Sequence, residues 1–117
     1  MNILLIISDA PYGSEKAYDA LRLAITLQKE HADMDMRIFL MADAVTCALL
    51  NQTTPQGYYS IERMLKAVIN KGGQVKACGT CSEARGIKGL PLLEGIEIST
   101  MAELAKWTIE ADKLVTF

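Results

Sequence analysis

The sequence is short of basic charge, of histidine and of long apolar runs, and each shortage removes a class of function. Twelve Lys and Arg stand against 14 Asp and Glu, a net charge of −2. No basic surplus exists to displace counterions from a phosphate backbone, which excludes nucleic acid as the expected partner. No polybasic segment is there to hold an anionic membrane. The chain passes from Met1-Asn2 directly into Ile3-Leu4-Leu5-Ile6-Ile7, a run too short for a membrane span and without the basic flank of a signal peptide. The expectation is a cytoplasmic protein. In that reducing compartment the three cysteines are thiols rather than disulfides, and their odd number agrees. The single histidine, His31, speaks against Ser/His/Asp catalysis. It is predicted at a solvated helix end, far from the cysteines, so a zinc site would need ligands from a second subunit. Neither a Gly-x-Gly-x-x-Gly nor a Walker-type phosphate loop occurs. No metal or cofactor is expected.

What the chain does have is 117 residues, 50% of them hydrophobic and 22% charged, enough for one globular domain spanning 1–117. Ile3–Ile7 reads as a strand buried on both faces. Ser14 is a candidate cap for a helix to about residue 30, with Ala17, Ala20, Leu21, Ala24 and Leu27 on one face. Arg37–Met41 reads as a second strand. Asp43 is placed to cap a short helix through Leu50. After a polar loop, Ile61, Met64, Leu65, Val68 and Ile69 mark a helix that Gly72-Gly73 stops. Gln74–Ala77 is a third strand. Thr80-Cys81-Ser82-Glu83 fits a capping box for a short helix ending by Gly86, with Cys81 at its first position. Ile96–Ile98 is a fourth strand. Thr100–Glu103 is a second capping box, opening a helix with Met101, Leu104, Ala105 and Thr108 on one face, and Leu114–Phe117 is a fifth strand. The alternation predicts an α/β three-layer sandwich: a mainly parallel sheet of about five strands with helices on both faces.

In such sheets reactive groups gather beyond the carboxyl ends of the strands. Three segments qualify: Ser8–Gly13, Ala42-Asp43 and Cys78–Cys81. Only the last holds a strong nucleophile. A helix start beside Cys78 and Cys81 favours thiolate, and Lys76, Arg85 and Lys88 push the same way while Glu83 opposes them. The Cys-x-x-Cys spacing fits thiol redox cycling, persulfide carriage, a shared zinc site or two incidental buried cysteines. Asp9, Tyr12, Asp43 and Arg85 are pocket candidates around the thiols. Asp9, Ser14 and Asp43 also suit turn and cap roles. Cys47 reads as core packing, as do most of the methionines Met34, Met36, Met41, Met64 and Met101.

The segments Ala10–Glu15, Leu21–Ala24, Phe39–Val45, Lys76–Cys81 with Arg85-Gly86-Ile87, Leu104–Trp107 and Ala111–Phe117 resemble, in the same order, the DsrE/DsrF-like family and within it the small stand-alone YchN-like branch. The resemblance implies a parallel α/β sandwich assembling into homotrimers or homohexamers. It also implies sulfur relay, in which a cysteine after the third strand takes sulfane sulfur as a persulfide and passes it to a partner carrier. Cys78 matches that position, and Cys81 is left to resolve the persulfide or to bond Cys78 on oxidation. Three expectations follow. The first is a persulfide carrier working between sulfur-donor and sulfur-acceptor proteins, a possible sulfurtransferase. The second is a thiol–disulfide redox or redox-sensing protein using Cys78 and Cys81. The third is a non-catalytic oligomeric binding or assembly protein.

Overall fold

Ile3–Ile7 lies within the strand β1, Asn2–Ile7, whose residues from Ile3 to Leu5 are buried together with Ile7. The computed structural model describes residues 1–117. After β1 come α1 (Lys16–Glu30), β2 (Asp35–Leu40), a 3-10 helix (Ala42–Ala48), α2 (Ile61–Asn70), β3 (Gln74–Cys78), α3 (Gly79–Ala84), β4 (Ile96–Ser99), α4 (Met101–Glu110) and β5 (Lys113–Thr116). The five strands form one sheet in the order β4-β3-β2-β1-β5, and every pairing is parallel. The sheet is thus wholly rather than mainly parallel.

The strand order sets the layers. Steps from β1 through β4 run in one direction, and the last connection returns past them to β5. Right-handed crossovers therefore put α1 and α2 on one face and α4 on the other. On the first face α1 meets α2, and the buried Gln28 amide donates to the Val68 carbonyl at 3.0 Å. On the second face Trp107 of α4 meets Phe39 of β2 edge-on, ring centroids 6.1 Å apart. Arg37 and Lys76 lie over the same indole at 5.5 and 4.9 Å and pair with Glu110 and Glu103 of α4 at 2.7 and 2.9 Å. Twenty-seven buried residues make one continuous core. No helix is long and apolar enough to cross a membrane.

Several local expectations are corrected. Ser14 does not cap α1; its hydroxyl donates to Asp9 at 2.7 Å and receives the Lys16 N–H at 3.3 Å, which tightens the turn before the helix. The segment after β2 is a 3-10 helix without a side-chain cap from Asp43. On α4 the buried pair is Leu104 and Trp107, while Met101 faces solvent at 58% exposure. Thr100 does cap α4, receiving the Glu103 N–H at 3.2 Å. Gly72 and Gly73 end α2 in a Schellman turn, their N–H groups bonding the Ile69 and Val68 carbonyls at 2.9 Å each. Gly72 supplies the left-handed φ of +91° this turn requires.

Candidate functional site

β3 delivers the chain to Cys78, and α3 begins at the next residue because Cys78 itself is the cap. Its Sγ receives the Cys81 N–H at 3.4 Å. Its carbonyl receives the hydroxyl of the buried Ser82 at 2.7 Å. The expected Thr80–Glu83 capping box is therefore not formed. α3 starts two residues before Cys81, which occupies its third position rather than its first. Gly79 lies so close to β4 that an added Cβ would come within 3.0 Å of the Ser99 carbonyl and 3.2 Å of Ile98.

Cys78 is only 4% exposed, whereas Cys81 is partly open. The sulfur expected to accept a persulfide is thus largely covered. The bias toward thiolate expected of both cysteines is also not found at Cys81. Burial pushes the Cys81 thiol above its ordinary range, helped by its hydrogen bond to Cys78 and by charge there. The Ala42 amide and the Arg85 guanidinium pull the other way. Cys81 therefore holds its proton beside the Cys78 sulfur.

Arg85 ties the end of α3 to the 3-10 helix. Its Nε and Nη2 reach Asp43 Oδ1 at 2.9 and 2.8 Å, and Nη1 donates to the Cys81 carbonyl at 3.0 Å. The chain reaches Asp43 through Ala42, held at a left-handed φ of +49°. That conformation is unusual for a residue with a Cβ and costs about 1 kcal/mol. Of the three cations expected to favour thiolate, only Arg85 bears on Cys81. Lys76 is drawn to Glu103 over Trp107, and Lys88 pairs with Glu83 at 3.8 Å.

The remaining candidates sit one strand further along the same edge. Asp9 is engaged by Ser14, and its carbonyl lies 3.9 Å from the sulfur of Cys47. Cys47 is buried, and desolvation raises its thiol to about 12, consistent with packing. The Tyr12 hydroxyl receives the Ile61 N–H at 3.0 Å at the start of α2. Thus Cys78, Cys81, Arg85 and Asp43 are joined directly, whereas Asp9 and Tyr12 serve neighbouring turns. Sequence reading missed that all four tyrosines of the chain cluster here. Tyr59 stacks on Tyr18 and Tyr58 with centroids 4.0 and 4.4 Å apart, and Tyr12 lies 5.7 Å from Tyr59. The only sequence sign was Tyr58-Tyr59 in an otherwise polar loop. No cluster of His, Cys, Asp and Glu able to hold a metal ion is present. His31 ends α1, exposed, beside Asp33 and Lys113, at the amino edge of the sheet.

An all-parallel sheet carrying a Cys-x-x-Cys at the exit of β3 defines a small α/β thiol protein. The chain belongs to the DsrE/DsrF-like family, whose model matches residues 1–117. That family is of sulfur-relay type. The chain is 47% identical to protein YchN of Escherichia coli over 115 residues, 98% of this chain and 97% of that one. It is 40% identical over its full length to an uncharacterised protein of Methanocaldococcus jannaschii, also covered completely. The crystal structure of YchN from E. coli superposes with a TM-score of 0.93, covering 100% of both chains. A protein of unknown function from Methanobacterium thermoautotrophicum has the same fold at a TM-score of 0.73 and 16% identity, covering 99% of this chain and 98% of its own.

Proposed function

We propose that the protein is a persulfide carrier with Cys78 as the sulfur-accepting nucleophile. The observation that carries the reading is the bonding of the Cys78 sulfur, which sits at the carboxyl end of β3 and takes an N–H from Cys81. The Cys78 thiolate attacks the outer sulfur of a donor persulfide. A new S–S bond forms at Cys78 as the donor's S–S bond breaks, and the donor leaves as a thiolate. An acceptor thiolate then attacks the outer sulfur and releases Cys78 as thiolate, so the cycle has no net oxidation. The Cys81 N–H, 3.4 Å from the sulfur, donates to the anion. Membership of a sulfur-relay-type family supports the same reading.

The test is intact mass after incubation with a polysulfide donor and removal of excess. The native chain and Cys81→Ser gain one sulfur, and Cys78→Ser gains none. A gain that survives in Cys78→Ser removes Cys78 from the mechanism.

The closeness of Cys81 to the Cys78 sulfur, its N–H 3.4 Å from that atom, supports a second reading, dithiol–disulfide exchange. A partner disulfide would take two electrons and leave Cys78 and Cys81 joined. Loss of two hydrogens on exposure to a disulfide, with no sulfur uptake from polysulfide, would favour it over carriage.

A homo-oligomer, a trimer or hexamer, belongs to the same proposal. Ile109 and Met101 of α4 are 87% and 58% exposed, and Leu114 and Val115 of the edge strand β5 are 41% and 37% exposed. Apolar groups on an unpaired strand are the surface that a second copy covers. Sedimentation equilibrium tests it, and a monomeric mass would remove it.

A further inference from the structure

Cys78 is both covered and held in place. It is 4% exposed and belongs to the chain's own core, so a neighbouring copy could only add to the cover. Its strand pairs with β4 at Ser99. Gly79 is seated so closely on β4 that a Cβ there would stand 3.0 Å from the Ser99 carbonyl oxygen. The buried Ser82 hydroxyl donates to the Cys78 carbonyl at 2.7 Å. The Ser82 carbonyl in turn receives the N–H of Ile87, itself only 8% exposed, at 3.0 Å. α3 is thus anchored at its start, along its inner side and just past its end.

Size then decides what can deliver sulfur. In-line attack needs the donor's outer sulfur within about 3–3.5 Å of the Cys78 sulfur. The outer sulfur of a protein persulfide stands only about 4–5 Å from its own Cα. A protein donor must therefore press its main chain to within about 8 Å of the Cys78 sulfur. With Cys78 buried, that approach requires α3 to lift, which breaks the Ser82 hydrogen bond and uncovers Ile87. A polysulfide chain is one sulfur atom wide and carries no main chain.

We infer that the sulfur donor to Cys78 is a small sulfane species, an inorganic polysulfide or a low-molecular-weight persulfide, rather than a protein-borne persulfide. The inference rests on the reading of Cys78 as the sulfur acceptor. With tetrasulfide, the Cys78 thiolate bonds the terminal sulfur, the adjacent S–S bond breaks, and trisulfide leaves with the electron pair. One S–S bond forms as one breaks, so no outside oxidant or reductant takes part.

The test is sulfur gained at Cys78 against time, read by peptide mass in the native full-length protein. The donors are sodium tetrasulfide, glutathione persulfide and a small folded protein carrying one persulfidated surface cysteine. Each rate is divided by the same donor's rate of transfer to free cysteine. On that scale the protein donor loads Cys78 at least about fiftyfold more slowly than tetrasulfide, the factor expected for breaking one buried hydrogen bond and uncovering one buried side chain. Glutathione persulfide separates the two small sources. A rate near that of tetrasulfide admits persulfides of tripeptide size, and a rate near that of the protein donor narrows the source to inorganic polysulfide. A smaller gap between the protein donor and tetrasulfide overturns the inference and leaves Cys78 as acceptor. No gain at Cys78 from any donor removes the acceptor reading itself.

Discussion

Cys47 provides a prediction whose size follows from its surroundings. The thiol sits at 2% exposure in the core, and burial raises it from an ordinary 9.0 to about 12. Its ionisation is thus harder in the folded chain than in the unfolded one. The contribution to stability is complete below the unfolded value and disappears as pH climbs through the folded one, a window of pH 9 to 12. The unfolded chain gains about 1.4 kcal/mol relative to the folded chain from this one group by pH 10, and about 2.7 kcal/mol by pH 11. Cys47→Ala lacks the term, while the other groups that titrate in alkali are common to both proteins and cancel in the difference. Urea unfolding under reductant should therefore show the native chain losing stability relative to Cys47→Ala by these amounts between pH 8 and pH 11. A gap that stays constant with pH would refute the reasoning and show that the Cys47 sulfur is reached by water.

The same burial makes Cys47 inert at pH 8. Its thiolate fraction falls to about one in ten thousand, against about a tenth for an ordinary thiol with a pKa near 9, so maleimide labelling under native conditions should mark Cys81 before Cys47. Trp107→Ala removes the indole that joins α4 to Phe39, Arg37 and Lys76, and should destabilise by about 3–5 kcal/mol in urea titration. Thr100→Ala deletes the cap of α4 at about 1 kcal/mol, and Thr100→Ser restores most of it. Gly73→Ala would set a Cβ 2.6 Å from Val68 Cγ1 and 2.7 Å from its carbonyl oxygen. It should lower the melting temperature more than Gly13→Ala, where nothing stands within 4 Å.

Patterns local in sequence were the legible part of the fold. The five strands and the α1 and α2 faces follow from apolar spacing, and Gly72-Gly73 and Thr100 mark ends whose chemistry needs only near neighbours. The strand order β4-β3-β2-β1-β5 is fixed by tertiary packing that no single segment encodes. The Thr80–Glu83 box misled because it matches a side-chain pattern, whereas the helix started earlier. A cysteine acted as cap, and glycine followed it in a position hemmed in by Ser99. On α4 the apolar spacing suggested a face through Met101. The two residues that pack are Leu104 and Trp107, because the sheet offers them Phe39 and two cations. At the candidate site, Cys78, Cys81, Asp43 and Arg85 were all visible as types near strand ends. Their connection was not, since Asp43 and Arg85 stand 42 residues apart and meet only when β2 and β3 lie side by side. Lys76 illustrates the limit: two residues from Cys78 in sequence, it is taken up by Glu103 across the sheet from α1 and α2.

The most direct test of sulfur carriage is where an added sulfur resides. Trypsin cutting after Lys76 and Arg85 releases one peptide, residues 77–85, holding both Cys78 and Cys81. After loading with a sulfane donor and blocking of free thiols, fragmentation of that peptide should place the extra sulfur on Cys78, and a later acceptor thiol should remove it. An extra sulfur on Cys81 alone, or none on this peptide, would contradict the account.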